Sequence, residues 1–360
     1  MGTLAMEKKD RVAWLDAARG ICILLVVVGH SEYTPAAVSR FIYTFHMPFF
    51  FFCSGIFADR YLELPFRDFV KQKARAYLLP YLSYEILFSF LIPLLSFLTE
   101  VLGAGLTGGP VPSLRLPHWN ALLGIAVQQP ESRFAAGLWF LTALFVVNVL
   151  FYLLHTLSRK GGWRRLRCTV TGAVLAAFLF HRAVSFLLPW YLEGSCLALP
   201  YIAVGWSVGR EGLPSLEKRL SWQYGLAAGI LCALFSWLYW RITGSRPDYH
   251  LADVEELVTA YCAGICGILF VSVAGKYLEK SRLLRFIGEN SLLYYLFGWA
   301  GARLLLTVTG SRGWVGPAYL VMYLLGNAVC TVPLVILLKK YCGFYFGLKR
   351  NKSSGEAVSI

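Results

Sequence analysis

Apolar runs of membrane length alternate with short polar links along nearly the whole chain. A membrane-spanning helix needs about 20 mainly apolar residues. Runs of that kind fall near 12–30, 41–58, 77–99, 137–157, 169–187, 196–209, 222–240, 257–275, 289–309 and 315–338. The pattern predicts an all-α fold, a polytopic membrane bundle of about ten transmembrane helices. The run at 196–209 is short, which predicts a tilted helix or one bordering a cavity. The stretch 119–128 is too short to span and reads as an interfacial or re-entrant piece.

The links carry the charge that sets an expected orientation. Arg60, Arg67, Lys71, Lys73 and Arg75 share one link, and Arg159, Lys160, Arg164, Arg165 and Arg167 share another. Arg210, Lys218 and Arg219, then Lys276, Lys280, Arg282 and Arg285, occupy two more, while the links between them are poorer in Lys and Arg. Positive links face the cytoplasm, so both termini are expected inside, at the cell membrane. The expected organisation is a cytoplasmic tail at 1–11, a transmembrane domain at 12–341 and a polar, mobile cytoplasmic tail at 342–360. Two outer links are long: 100–136, and 241–256 with Arg246, Asp248, His250, Asp253, Glu255 and Glu256.

Composition agrees. Of 360 residues 57% are hydrophobic, above the roughly 45–50% of soluble domains. A net charge of +14 would point to nucleic acid in a soluble protein; here topology accounts for it and no nucleic-acid partner is expected. The nine cysteines are scattered and form no CxxC pair, so neither a disulfide framework nor a metal site is expected. Lys8, Lys9 and Arg11 before the first run resemble a secretion signal, but Asp16 and Arg19 interrupt the run and no small-x-small cleavage site follows. The first run is expected to be a retained helix.

That run also holds the chain's most telling polar residues: Asp16, Arg19 and His30. Charge at membrane depth is costly and marks functional paths. On a helix the step from Arg19 to His30 returns to nearly the same face about 16 Å further along, and Asp16 lies about 60° from Arg19. His46, early in the next run, falls near the depth of His30. Two imidazoles there could handle protons, or each could only hydrogen-bond a neighbouring helix. Asp16 and Arg19 could neutralise one another, or Arg19 could meet an anion such as a phosphate. The run Lys71-Gln-Lys73-Ala-Arg75 could hold a polyphosphate or serve as a topology signal with lipid contact. Trp139 could belong to an interfacial belt or wall a pocket.

The ordered motifs resemble one family. Leu15-Asp16-Ala-Ala-Arg19-Gly20-Ile21 through Val28-Gly29-His30 comes first. Phe45-His46-Met47-Pro48-Phe49-Phe50-Phe51 with Ser54-Gly55 follows, then Leu78-Leu79-Pro80-Tyr81, Leu138-Trp139-Phe140-Leu141, and Ile287-Gly288-Glu289-Asn290-Ser291-Leu292 with Tyr294-Tyr295. Together they resemble the acyltransferase 3 family of integral-membrane acyltransferases. The resemblance implies an O-acetyltransferase that takes acetyl from cytoplasmic acetyl-CoA to a hydroxyl of a cell-surface or lipid-linked glycan. It implies His30 as the central catalytic group and Arg19 as its basic partner, with His46, Arg75 and Trp139 in support. The family's paired arginines before the third helix are here lysines with a single Arg75. The full expectation assigns catalysis to His30, Arg19, His46 and Asp16, and donor binding to Arg75, Lys73, Lys71 and Trp139, with the lipid bilayer as surroundings. The competing reading is a transporter or flippase that moves a polar substrate without acyl transfer.

Overall fold

A computed structural model describes residues 12–31, 33–107, 124–125, 138–184, 188–309, 316–346, 349–350 and 357–358. Most of the 100–136 link, and with it most of the piece expected at 119–128, lies outside the described residues. Each of the predicted apolar runs overlaps a helix.

The first run is α1 (Ala13–Gly29). The second is broken into α2 (Ala36–Tyr43) and α3 (His46–Ile56). The break has a local cause. Pro48 has no N–H and its ring excludes the carbonyl one turn earlier, so it is tolerated only in a first turn; it sits at the third position of α3. The short α4 (Asp59–Leu62) and amphipathic α5 (Phe66–Lys73) then lead through a π turn, Ala74–Leu78, into α6 (Leu79–Thr107). The π turn directly precedes Pro80, whose missing N–H leaves the Ala76 carbonyl without its helical donor.

Next come α7 (Trp139–Ser158), α8 (Gly162–Ala183) and α9 (Leu192–Glu211). A 3-10 turn at Arg159–Gly161 separates α7 from α8, and Gly162 takes a φ of 59° that favours glycine. The helix expected at 196–209 is longer than the sequence pattern implied, because Glu193, Gly194 and Ser195 are helical and buried. The rest is α10 (Leu213–Arg219), α11 (Trp222–Thr243), α12 (Leu257–Tyr277), α13 (Arg282–Glu289), α14 (Ser291–Val308), α15 (Gly316–Leu325) and α16 (Thr331–Cys342). A second π turn, Gly326–Cys330, joins the last two just ahead of Pro333. The tail is not wholly irregular: Lys349–Arg350 pairs antiparallel with Ala357–Val358.

Small residues set the helix crossings. A Cβ on Gly55, Gly205 or Gly209 would overlap backbone across the α3–α9 contact, and one on Gly20 or Gly288 would do so between α1 and α13. Close backbone approach of this kind is how apolar helices associate without a hydrophobic driving force between them. Among the described residues four helical stretches are long and apolar enough to cross a membrane: Trp139–Ala183, Trp222–Thr243, Leu257–Tyr277 and Gly316–Cys342. The α11 face with Trp222, Leu226, Ile230 and Trp237 is more than half exposed at each of these residues. A continuous apolar stripe left bare in this way suits lipid and not water. The chain is a helical membrane protein.

Candidate active site

Helix α1 ends at His30, which is exposed into a cavity of about 830 Å³. His46, the first residue of α3, is 1% exposed and lines the same cavity. The two rings lie 6.5 Å apart, centroid to centroid, edge to face. Tyr43, the last residue of α2, stands between them, 5.5 Å from His30 and 4.9 Å from His46. The break at Thr44–Phe45 thus puts the phenol and the second imidazole on one cavity wall.

Hydrogen bonding fixes the tautomers. His30 Nδ1 is 2.8 Å from the Val26 carbonyl, and His46 Nδ1 is 2.8 Å from the Ile42 carbonyl. A carbonyl oxygen only accepts, so each neutral ring carries its proton on Nδ1 and keeps the lone pair on Nε2. Among the described residues neither Nε2 has a hydrogen-bond partner. His30 therefore offers an oriented base to whatever enters the cavity.

The remaining wall was only partly legible in the sequence. Trp139 packs 5.1 Å from His250 and 6.0 Å from Tyr191, so it walls this cavity and not the basic end of the bundle. The 244–256 loop supplies Arg246, Asp248 and His250. The Arg246 guanidinium lies 3.4 Å over the Tyr43 ring centroid, and its Nη1 donates to Ser39 Oγ at 2.8 Å. Burial holds the His250 imidazole below its ordinary range, against the opposing pull of Asp248, so it is neutral near pH 7. The Tyr43 and Arg246 contributions had one sequence signal, their nearness to His46 and His250, and nothing in the sequence joined them.

A second cavity, of about 120 Å³, includes Arg19, Ser54, Ala76, Tyr77 and Phe140 in its walls. Ile23, Val26, Met47 and Tyr295 line both cavities. One layer of side chains thus separates the chamber of Arg19 from that of His30. Arg19 is positioned by a long contact to Asp16, 3.8 Å, and among the described residues its buried Nε has no hydrogen-bond partner. An orphaned guanidinium donor is the group expected to accept an anionic ligand. Asp16 is 8% exposed and belongs to this end, about 21 Å along α1 from His30.

The three basic candidates before α6 are not gathered into one site. Lys73 is 5% exposed, with its ammonium 4.2 Å over Tyr61 and near Phe69 and Tyr77. Burial pushes it down to about 7, while the aromatic faces favour its charged form. Lys71 and Arg75 are exposed, and Arg75 lies 5.4 Å over Phe344.

A helical membrane bundle with an oriented histidine base, an aromatic chamber and an arginine chamber behind it has the layout of a group-transfer enzyme. The family model for the acyltransferase domain matches residues 12–338, so the chain belongs to the acyltransferase 3 family and is an acyltransferase. It is similar to the nodulation protein NolL of Mesorhizobium japonicum, with 23% identity over 342 residues, covering 87% of this chain and 82% of that protein. No solved structure matches the chain significantly.

Proposed function

We propose that the enzyme moves an acetyl group from cytoplasmic acetyl-CoA to a hydroxyl of a cell-surface or lipid-linked glycan. The observation that carries this reading is the pair of abutting cavities, one with the unpartnered Arg19 Nε and the other with the His30 lone pair. Arg19 attracts the phosphates of the donor. Lys71, Lys73 and Arg75, within six residues of Ala76 and Tyr77 in the chamber wall, add positive charge near that entrance. The thioester end passes between Ile23, Val26, Met47 and Tyr295.

His30 Nε2 takes the proton of the acceptor hydroxyl as its oxygen attacks the thioester carbonyl. The C–O bond forms, the C–S bond breaks, and the imidazolium returns the proton to the departing thiolate. Trp139 and the tyrosines provide flat apolar faces with polar tips, as sugar rings require. His46 and Tyr43 hold the position of His30 by ring contact. Both termini lie in the cytoplasm in this reading, and the His30 chamber opens outward.

Purified enzyme in proteoliposomes, given radiolabelled acetyl-CoA and the glycan fraction of its host, is expected to place label on glycan hydroxyls. Label that stays in CoA or free acetate, while glycan is present and the protein is folded, would sink the proposal.

A further inference from the structure

We infer that the acceptor carries an anionic group, a carboxylate or a phosphate, which Arg246 seats beside His30. The inference rests on the acetyl-transfer reading for what the acceptor does, and on the cavity alone for what it is. The guanidinium sits 3.4 Å over Tyr43, the ring that touches both imidazoles. Its Nη1 bond to Ser39 Oγ anchors it without neutralising it. Among the described residues no ion pair includes Arg246. Asp248 is the acid on the same wall, and its Oδ1 accepts from the backbone N–H groups of His250 and Leu251 at 2.8 and 3.4 Å. Arg303, 5.6 Å over Trp299, adds a second guanidinium to the lining.

A charge held inside a half-enclosed chamber is expected to have a counter-ion. Among the described residues none pairs with Arg246 as an ion, so the ligand does. The planar fork of donors matches a carboxylate or a phosphate oxygen pair. With that group on Arg246 and the sugar ring against the aromatic wall, one hydroxyl of the same ring or its neighbour reaches Nε2 of His30.

The test uses the full-length protein in detergent and no acyl donor. Intrinsic fluorescence, to which Trp139 and Trp299 of the wall contribute, is titrated with glucose, glucuronate and glucose 6-phosphate. The three share a ring and differ at one carbon. At least one anion is expected to bind about 10-fold or more tightly than glucose, and the tighter of the two tells carboxylate from phosphate. In Arg246→Gln that ratio is expected to fall toward 1, and Arg246→Lys is expected to keep part of it, each variant first shown folded by its melting curve. Equal binding of all three, no measurable binding of either anion, or a ratio unchanged in Arg246→Gln overturns the inference. Failure here leaves acetyl transfer standing. Failure of label transfer with the anion preference intact defeats the transfer reading alone.

Discussion

The imidazoles of His30 and His46 make the same bond, Nδ1 to a carbonyl four residues back, yet their surroundings differ. His30 is exposed to the chamber and His46 is sealed at 1% exposure. Proton transfer therefore falls to His30 and its positioning to His46 in the proposed mechanism. Since general-base help contributes about 10²–10⁴-fold, His30→Ala is expected to lower turnover by at least two orders of magnitude without changing the melting curve. His46→Ala is expected to lose less turnover and more thermal stability. Equal turnover in wild type and folded His30→Ala contradicts the assignment. At this scale the sequence was informative where function lies along one helix or on two adjoining ones. The depth match of His30 and His46 follows from antiparallel geometry and is met. The Tyr43–Arg246 contact joins residues 203 positions apart and depends on how the 244–256 loop packs over α2. The different settings of Lys73 and Arg75 were not legible for a comparable reason: aromatic neighbours from α4–α5 and from the C-terminal end pack against them separately.

Among the elements, existence was legible and interruption was not. Each apolar run overlaps a helix, the form in which a single apolar segment satisfies its own backbone. The π turns before Pro80 and Pro333 and the break before Pro48 arise from single missing N–H groups, which hydropathy does not register. The helix at Leu192–Glu211 looked shorter because Glu193 reads as a boundary, whereas its Oε1 accepts the Leu188 N–H at 2.7 Å and the residue is buried. Helix α12, which follows the chamber loop, has its own start signal. Glu256 caps it, accepting from the N–H groups of Val258 and Thr259 at 2.9 and 2.7 Å. Burial raises the pKa of this carboxyl, but the hydrogen bonds from Thr259 and Val258 outweigh that and hold it below the ordinary range. Its folded pKa being depressed, the cap's ionic contribution is present above the ordinary carboxylate range and lost as pH falls through the folded value. Glu256→Ala is expected to cost about 1 kcal/mol, read as a lower melting temperature in detergent at pH 7. The difference from wild type should shrink in strongly acidic buffer. No difference at pH 7 would show the cap to be idle.

For the whole molecule, the decisive feature is that two chambers meet at Ile23, Val26, Met47 and Tyr295. No periodicity in the sequence announces a cavity, since its walls come from helices far apart in the chain. Filling the junction should separate donor binding from transfer. Met47→Trp is expected to keep CoA binding, measured by calorimetry, while acetyl transfer falls about 100-fold, the scale of a small misplacement at a reacting centre. Unimpaired transfer in that variant would mean that the acetyl group travels elsewhere.

The central claim is passage of the acetyl group through the protein from one side of the membrane to His30 on the other. It is tested most directly in oriented, sealed proteoliposomes with labelled acetyl-CoA only on the side of the Arg19 chamber and acceptor glycan only on the side of the His30 chamber. Label is expected on the glycan outside and is expected to vanish in His30→Ala. Label that appears only when donor and acceptor share a compartment would contradict it.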